Sequence, residues 1–169
     1  MQTKEAIQFA LNVSNRALLS VIDEMSTAPT AFPTAKGGCH PLWVLGHLTL
    51  IEGMIPSVLF GENNPVSHWQ PLFGEGSEPV SDASAYPPFA EIRAKYVQLR
   101  ERNLGLLESL SEEDLDKPTM NPPKGREQEF ATFGRSFLVL SLHQMLHRSH
   151  VTDARRAVGS TMLAATASK

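Results

Sequence analysis

The sequence contains a single cysteine, Cys39, among 169 residues. An internal disulfide is therefore impossible, and the chain fits a reducing compartment. The sequence also lacks an excess of basic charge, because its formal net charge is -3 and its pI is about 6.1. A chain with this balance has no positive field with which to attract a phosphate backbone, so nucleic-acid binding is disfavoured.

Long hydrophobic runs are missing as well. No stretch approaches the roughly 18 consecutive apolar residues that are needed to span a bilayer. The N-terminal residues MQTKEAIQ carry polar side chains every few positions, unlike the apolar core of a signal peptide. We therefore expect no membrane partner and a cytoplasmic location.

The bulk composition is typical of a globular protein, with 41% hydrophobic and 20% charged residues. A chain of this length can bury one full hydrophobic core and is short for two. We expect one domain over residues 1–169, in which residues 160–169 form a small polar tail that frays.

Apolar residues recur at three- and four-residue steps over four stretches, and this spacing predicts four long helices. The stretches cover residues 3–25, 41–60, 89–110 and 134–158. Pro41 is favourable in the first turn of the second helix, and Gly61 suits its end. Gly159 suits the C-terminal cap of the fourth helix. Pro56 removes a hydrogen bond inside the second helix and predicts a kink there.

The connections are rich in proline and lack periodicity. Residues 61–88 are expected to form a long irregular connection, with Trp69, Leu72 and Phe73 docked on the helices. Ser111 resembles the N-cap of a short helical turn. Residues 127–133 are expected to be extended or strand-like. With no alternation at period two and no internal repeat, the chain is predicted to be an all-α, antiparallel four-helix bundle.

Three of the six histidines lie close together near the end of the sequence, in the run SLHQMLHRSH. On a helix, His143 and His147 are one turn apart on the same face, in line with apolar residues. Buried neutral imidazoles need partners, which an apolar stripe does not supply and a metal ion does. The alternative is that both rings bond to backbone groups or to each other through water.

His47, on the second helix, provides a third imidazole if the second and fourth helices face each other. Three nitrogen ligands would leave a coordination position open, as in catalytic metal sites.

The remaining candidates are weaker. His150 is either a fourth ligand or proton shuttle or a surface residue, and Cys39 is either a thiolate ligand or a small packed residue. His40 caps the second helix or is solvated, and His68 lies in the long connection. The last candidates are the arginines Arg148, Arg155 and Arg156. They either orient an anionic substrate or complement the helix dipole.

Several common catalytic motifs are missing. Gln144 follows His143, so the glutamate of the H-E-x-x-H protease helix is not present. Neither a glycine-rich nucleotide-binding loop nor a G-x-S-x-G turn occurs, and nucleotide-binding and serine-hydrolase functions are therefore disfavoured.

The run HPLWVLGHL at residues 40–48, the late His143-x-x-x-His147-Arg148 and the downstream Arg156-x-x-Gly159 together resemble the DinB/YfiT-like superfamily. The run LSEEDLD at residues 110–116 fits the same pattern. The resemblance implies an up-down-down-up four-helix bundle, often dimeric. It also implies that His47, His143 and His147 hold a divalent metal, commonly zinc or nickel. The chain departs from the common His-Arg-Gly-Gln at Ser149 and His150.

Members of this superfamily with known chemistry include metal-dependent hydrolases and transferases or isomerases that use low-molecular-weight thiols. The resemblance therefore implies a metal-dependent enzyme that acts on a small molecule or thiol. A non-catalytic metal-binding or stress-response module is the alternative. A second apolar face of the fourth helix is wider than one bundle core needs, and it either packs centrally or forms a homodimer. It consists of Leu138, Leu142, Met145 and Leu146.

Overall fold

The computed structural model describes the backbone of residues 1–167 and the side chains of residues 1–159. Within that part of the chain the protein is all-helical, with five α-helices and no strand. The helices are α1 (Thr3–Glu24), α2 (Pro41–Phe60), α3 (Gln70–Phe73), α4 (Phe89–Ser109) and α5 (Phe133–Ala167). Short 3-10 turns form at Ser67–Trp69, Ala83–Ala85 and Glu113–Asp116.

The four long helices pack against one another. Helix α1 contacts α5 and α4, and α2 contacts α4 and α5. The buried apolar side chains fall into two clusters. One cluster includes Leu18, Leu45, Tyr96 and Val151, and the other includes Leu11, Leu59, Leu107 and Phe137. Each long helix thus contributes to both clusters.

Each long helix also carries buried polar side chains. Along the helix, they lie between the residues that belong to one cluster and the residues that belong to the other. This polar layer consists of Ser14 on α1, Glu52 on α2, Arg100 and Asn103 on α4, and Gln144 on α5. Buried polar groups are costly unless they are hydrogen-bonded, and every residue of this layer has a partner within it, although Nε and Nη1 of Arg100 are unpaired among the described residues. The layer therefore relates the axial positions of the four helices to one another.

Helix α2 is almost entirely enclosed. His40 caps its start, because its Nδ1 atom accepts from the backbone N–H of Trp43 at 3.0 Å. Gly61 ends it in the left-handed conformation with φ of 74°. By length and hydropathy α2 is the one helix in the described residues that could cross a membrane, but 83% of its apolar window is buried inside the protein. Such burial is expected of a core helix.

The predicted helix boundaries agree with the structure at most ends, and one prediction is wrong. The fourth helix, α5, does not stop at a Gly159 cap but continues to Ala167. A glycine inside a helix costs only about 1 kcal/mol, and the following Met, Leu and Ala residues have high helix propensity. The last two residues of the predicted tail, 168 and 169, lie outside the described residues.

The connections contain more regular structure than the sequence indicates. Residues 61–88 were predicted to be irregular, yet they include α3 and two 3-10 turns. Trp69 and Phe73 dock in the core with 5% and 0% exposure, and Leu72 packs against it, as predicted. The turn predicted at Ser111 forms at Glu113–Asp116. The strand-like piece expected over residues 127–133 reduces to one bridge, between Pro118 and Thr132. Pro56 lies inside α2, and its kink stays a prediction.

Candidate metal centre

The three histidines singled out in the sequence meet at one point. His47 comes from α2, and His143 and His147 come from successive turns of α5. The Nε2 atom of His143 lies 3.4 Å from that of His47 and 2.8 Å from that of His147. His47 and His147 are each 8% exposed, whereas His143 is only partly buried. The cluster is thus enclosed on the sides of His47 and His147 and more open beside His143.

The tautomer of His47 follows from its surroundings. Its Nδ1 atom lies 2.8 Å from the carbonyl oxygen of Phe73. A carbonyl oxygen can only accept, so Nδ1 carries the proton and donates it. The Nε2 atom of the neutral ring then carries a free lone pair that points at His143. A neutral ring with such an unprotonated nitrogen is the form in which imidazole binds a metal.

Hydrogen bonds among the three rings cannot pair all of their facing nitrogen atoms. The Nε2 atom of His143 has one position for a proton, whereas two other imidazole nitrogens lie beside it. The Nδ1 atom of His147 is buried and has no hydrogen-bond partner in the described structure, and an ion at the facing Nε2 would not change this. A cation at the centre would use the three facing lone pairs together.

The electrostatics favour neutral imidazoles. Burial, followed by the charges of His47 and Arg126, lowers the pKa of His143 to about 4. Burial, followed by the charges of His143 and His47, lowers the pKa of His147 to about 3. Burial also lowers the pKa of His47, although its bond to the Phe73 carbonyl opposes this. Neutral imidazole is the ligand form, so the site is ready for metal near neutral pH.

The donor set fits a divalent metal. All three ligand atoms lie within 4.8 Å of one another. Imidazole nitrogens in a tetrahedral zinc site, at about 2.0–2.1 Å from the ion, are about 3.3 Å apart. The 3.4 Å pair already matches this spacing, and the 2.8 Å pair would have to open slightly. No carboxylate or thiol joins the three imidazoles among the described residues, which leaves room for an open coordination position.

His150 stands beside the cluster without joining it, and Cys39 lies in the same cleft as His150. The ring of His150 packs edge-on against that of His147, with centroids 5.3 Å apart. Both His150 and Cys39 line a cleft of about 570 Å³. Burial raises the pKa of the Cys39 thiol, which disfavours the thiolate form that binds metal.

The arginines considered as substrate-orienting groups have other partners. Arg148 donates to the carbonyl oxygen of Ala17 at 3.0 Å. Arg155 pairs with Glu24, and Arg156 pairs with Asp153 on the same helix. The role of the first two is therefore to join α5 to α1. Two exposed charges that the sequence reading did not single out do act on the cluster: Glu75 raises the pKa of His47, and Arg126 lowers the pKa of His47 and His143.

The two remaining histidines are separate from the centre. His40 is fully buried, and its Nε2 atom donates to the carbonyl oxygen of Val80 at 2.9 Å while Nδ1 caps α2. Of the two alternatives for His40, capping is confirmed. His68 is exposed and packs its ring against Trp69.

Sequence reasoning missed the polar layer next to the centre. The Nε2 atom of Gln144 donates to the Tyr96 hydroxyl at 2.5 Å and to Glu52 at 3.3 Å, and its Oε1 accepts from Ser14 at 2.6 Å. Glu52 also pairs with Arg100. Gln144 is therefore turned away from the three imidazoles, so it does not act as the catalytic base that a glutamate provides in H-E-x-x-H.

One signal for this layer was present in the sequence. Glu52 is the only charged residue in α2, an otherwise apolar helix. A carboxylate in such a position is buried, and a buried carboxylate requires a partner. The identity of that partner, Arg100 on α4, depends on which helices face each other and so needed the structure.

Comparison with protein families assigns the chain to one family. The DinB superfamily sequence model matches residues 10–151, a range that contains all three clustered histidines. No curated protein matches the chain. Because the match covers most of the sequence, the chain belongs to the DinB superfamily.

Proposed function

We propose that this protein is a divalent-metal-dependent enzyme whose zinc or nickel ion is held by His47, His143 and His147. The reaction is hydrolysis or transfer of a low-molecular-weight thiol. The observation that carries the proposal is the convergence of one ring nitrogen from each of three histidines on two helices, all within 4.8 Å of one another. Superfamily membership supports the same conclusion.

The ion would act as a Lewis acid that lowers the pKa of a water molecule or thiol presented to it. The protein residues have separate tasks around it. Phe73 orients His47 through its main-chain carbonyl. His143, the least enclosed of the three ligands, borders the side from which a small molecule can approach.

A cleft supports the approach of a substrate along α5. It has a volume of about 570 Å³ and is lined by His150, which lies three residues after His147. This volume is within the range of small-molecule sites. His150 borders this cleft and also packs its ring against that of His147.

A non-catalytic metal-binding or stress-response module is the second candidate. It is favoured by the lack of a carboxylate or thiol beside the three imidazoles in the described residues. Many metal-dependent hydrolases use such a group as a general base. In this function the ion would serve mainly to join α2 to α5.

The same proposal includes the direction of the four long helices, the oligomeric state of the protein and its location in the cell. The four long helices run up-down-down-up, and the protein is a cytoplasmic homodimer. The dimer is supported by four apolar side chains of α5 that are 42–63% exposed. They are Leu138, Leu142, Met145 and Leu146.

An activity screen separates the two candidate functions. Metal-free, zinc-loaded and nickel-loaded protein are assayed for hydrolysis of activated esters and for transfer of a small thiol to an electrophilic aryl chloride. The enzyme proposal predicts turnover that depends on metal, is lost in His143→Ala and is kept in His68→Ala, the exposed control. Tight metal binding with a large rise in melting temperature but no turnover would instead support the module.

A further inference from the structure

The contacts of His47 extend beyond its carbonyl partner to a whole segment of the long connection. Residues 72–80, called the docking segment below, form three hydrogen bonds to one face of α2 and its N-cap residue, and a fourth bond within the segment supports them. His47 donates to the carbonyl oxygen of Phe73, and Trp43 donates from its indole nitrogen to Ser77 Oγ at 2.9 Å. Ser77 Oγ in turn donates to the carbonyl oxygen of Leu72 at 3.1 Å, and His40 bonds to that of Val80.

These contacts fix the ring of His47 in two directions. The Phe73 carbonyl holds its Nδ1 edge. The Trp43 indole stacks on its face, with centroids 4.9 Å apart and ring planes 8° apart. Since Trp43 is itself hydrogen-bonded to Ser77, both constraints on His47 depend on the docking segment.

The residue before His47 makes this approach possible. The Phe73 ring is fully buried and lies directly over Gly46. A Cβ atom at position 46 would lie 2.3 Å from Cε1 and 2.5 Å from Cζ of that ring, far inside contact distance. Any side chain there would push Phe73 away and withdraw its carbonyl from His47.

We propose that the docking segment is a positioning element of the metal centre, with Phe73 and Gly46 as its positioning residues, so that metal binding and docking of residues 72–80 stabilise each other. This inference rests on the proposed three-histidine site. The ion needs the Nε2 lone pair of His47, which only the Nδ1–H tautomer supplies, and the segment provides the acceptor that selects this tautomer. By linkage, an ion that binds the docked state better must also hold the segment in place.

The chain contains a matched control for Gly46. Gly53 lies two turns further along α2, where a Cβ atom would meet Oδ1 of Asn64 at 2.2 Å and Cγ2 of Val66 at 2.8 Å. Gly46→Ala and Gly53→Ala are thus the same substitution in the same helix with similar clashes. They differ in which part of the connection they displace.

The test compares zinc affinity, measured by chelator competition, in the wild type and in both variants. The inference predicts about 10- to 100-fold weaker binding in Gly46→Ala, the usual effect of losing an outer contact of a metal ligand, and near wild-type binding in folded Gly53→Ala. If Gly46→Ala does not fold, Ser77→Ala replaces it as the test variant. This change removes only the hydrogen-bond partner of Trp43 and should weaken zinc binding about tenfold. Equal affinities in the wild type, Ser77→Ala and both glycine variants would overturn the inference.

Hydrogen exchange provides a readout that a merely structural role would not change. On adding zinc to the wild type, amide exchange should slow in residues 72–80 and stay the same in residues 62–66. Exchange that is unchanged in both ranges, in protein that does bind zinc, would overturn the coupling and leave the metal site intact. Wild-type protein that binds no zinc would overturn the proposed function itself.

Discussion

Gln144 shows how one residue next to the candidate ligands serves the core instead of the chemistry. Its amide uses a donor and an acceptor at once, donating to Tyr96 and accepting from Ser14. A glutamate of the same size could not donate to Tyr96 while charged, and it would place a second carboxylate beside Glu52. The sequence H-Q-x-x-H therefore differs from H-E-x-x-H for a reason of packing.

The substitution Gln144→Glu tests this role. It should destabilise the protein by about 3 kcal/mol, because an unpaired charge or a protonated carboxyl is then buried in the polar layer. Gln98→Glu on the exposed surface of α4 is the matched control and should change stability by less than about 0.5 kcal/mol. Urea unfolding measures both. Equal effects of the two changes would contradict the role assigned to Gln144.

The lowered pKa values of His143 and His147 predict how the metal-free protein responds to acid. Their folded-state pKa values, about 4 and about 3, lie below the ordinary value of 6.5, so the unfolded chain takes up protons first as the pH falls. Their contribution to stability is complete above about pH 6.5 and is lost progressively as the pH falls through the folded-state values.

The measurement is the free energy of unfolding against pH in the presence of a chelator, for the wild type and for His143→Ala/His147→Ala. Between pH 6.5 and 4, the wild type should lose stability more steeply than the double variant, because only it carries the two imidazoles. Parallel curves would show that neither ring is held neutral by the fold.

At the scale of elements, local sequence determined the long helices well. Their apolar periodicity and the Pro41 and Gly61 boundary residues are local signals, and the observed bounds of α2 are those predicted. Gly159 was misread because a glycine is a stop signal only when the following residues disfavour helix. The single turn of α3 was missed because its burial, with Phe73 over Gly46, is a tertiary contact.

The features of the candidate site also divide into those that the local sequence predicts and those that depend on tertiary contacts. The spacing of His143 and His147 is a property of one helix, and the addition of His47 followed from the motif in which it lies. The Phe73 carbonyl and the Glu52–Arg100 pair were not predictable, since each joins segments far apart in sequence, and a main-chain acceptor leaves no mark in residue type.

The pairing of α2 with α4 through Glu52 and Arg100 leads to a prediction for these elements. Arg100→Leu should destabilise the protein by about 3–5 kcal/mol, because Glu52 then remains buried without its ion-pair partner. Arg93→Leu, on the same helix, removes a pair with Asp23 whose side chains are 37% and 45% exposed, and it should cost about 1 kcal/mol or less. Denaturant titration compares the two, and a smaller effect at Arg100 than at Arg93 would contradict the account.

For the whole molecule, the exposed apolar face of α5 predicts association in solution. Leu142 and Leu146 are 63% and 61% exposed, and large apolar side chains grouped on one face usually mark an interface. The double variant Leu142→Glu/Leu146→Glu should be a monomer by light scattering coupled to size exclusion, whereas the wild type should be a dimer. Met120→Glu, at a 67% exposed apolar residue outside the four-residue face, should remain a dimer. A monomeric wild type would refute the proposed interface.

The central claim is that the three histidines hold one metal ion, and metal analysis tests it most directly. Wild type, His47→Ala and His68→Ala are purified without affinity-tag metals and reconstituted with zinc or nickel. We predict close to one equivalent in the wild type and in His68→Ala, and its loss in His47→Ala, because two imidazoles of α5 alone hold the ion much more weakly. A wild type that stays metal-free after reconstitution, or a His47→Ala variant that retains the full equivalent, would contradict the claim.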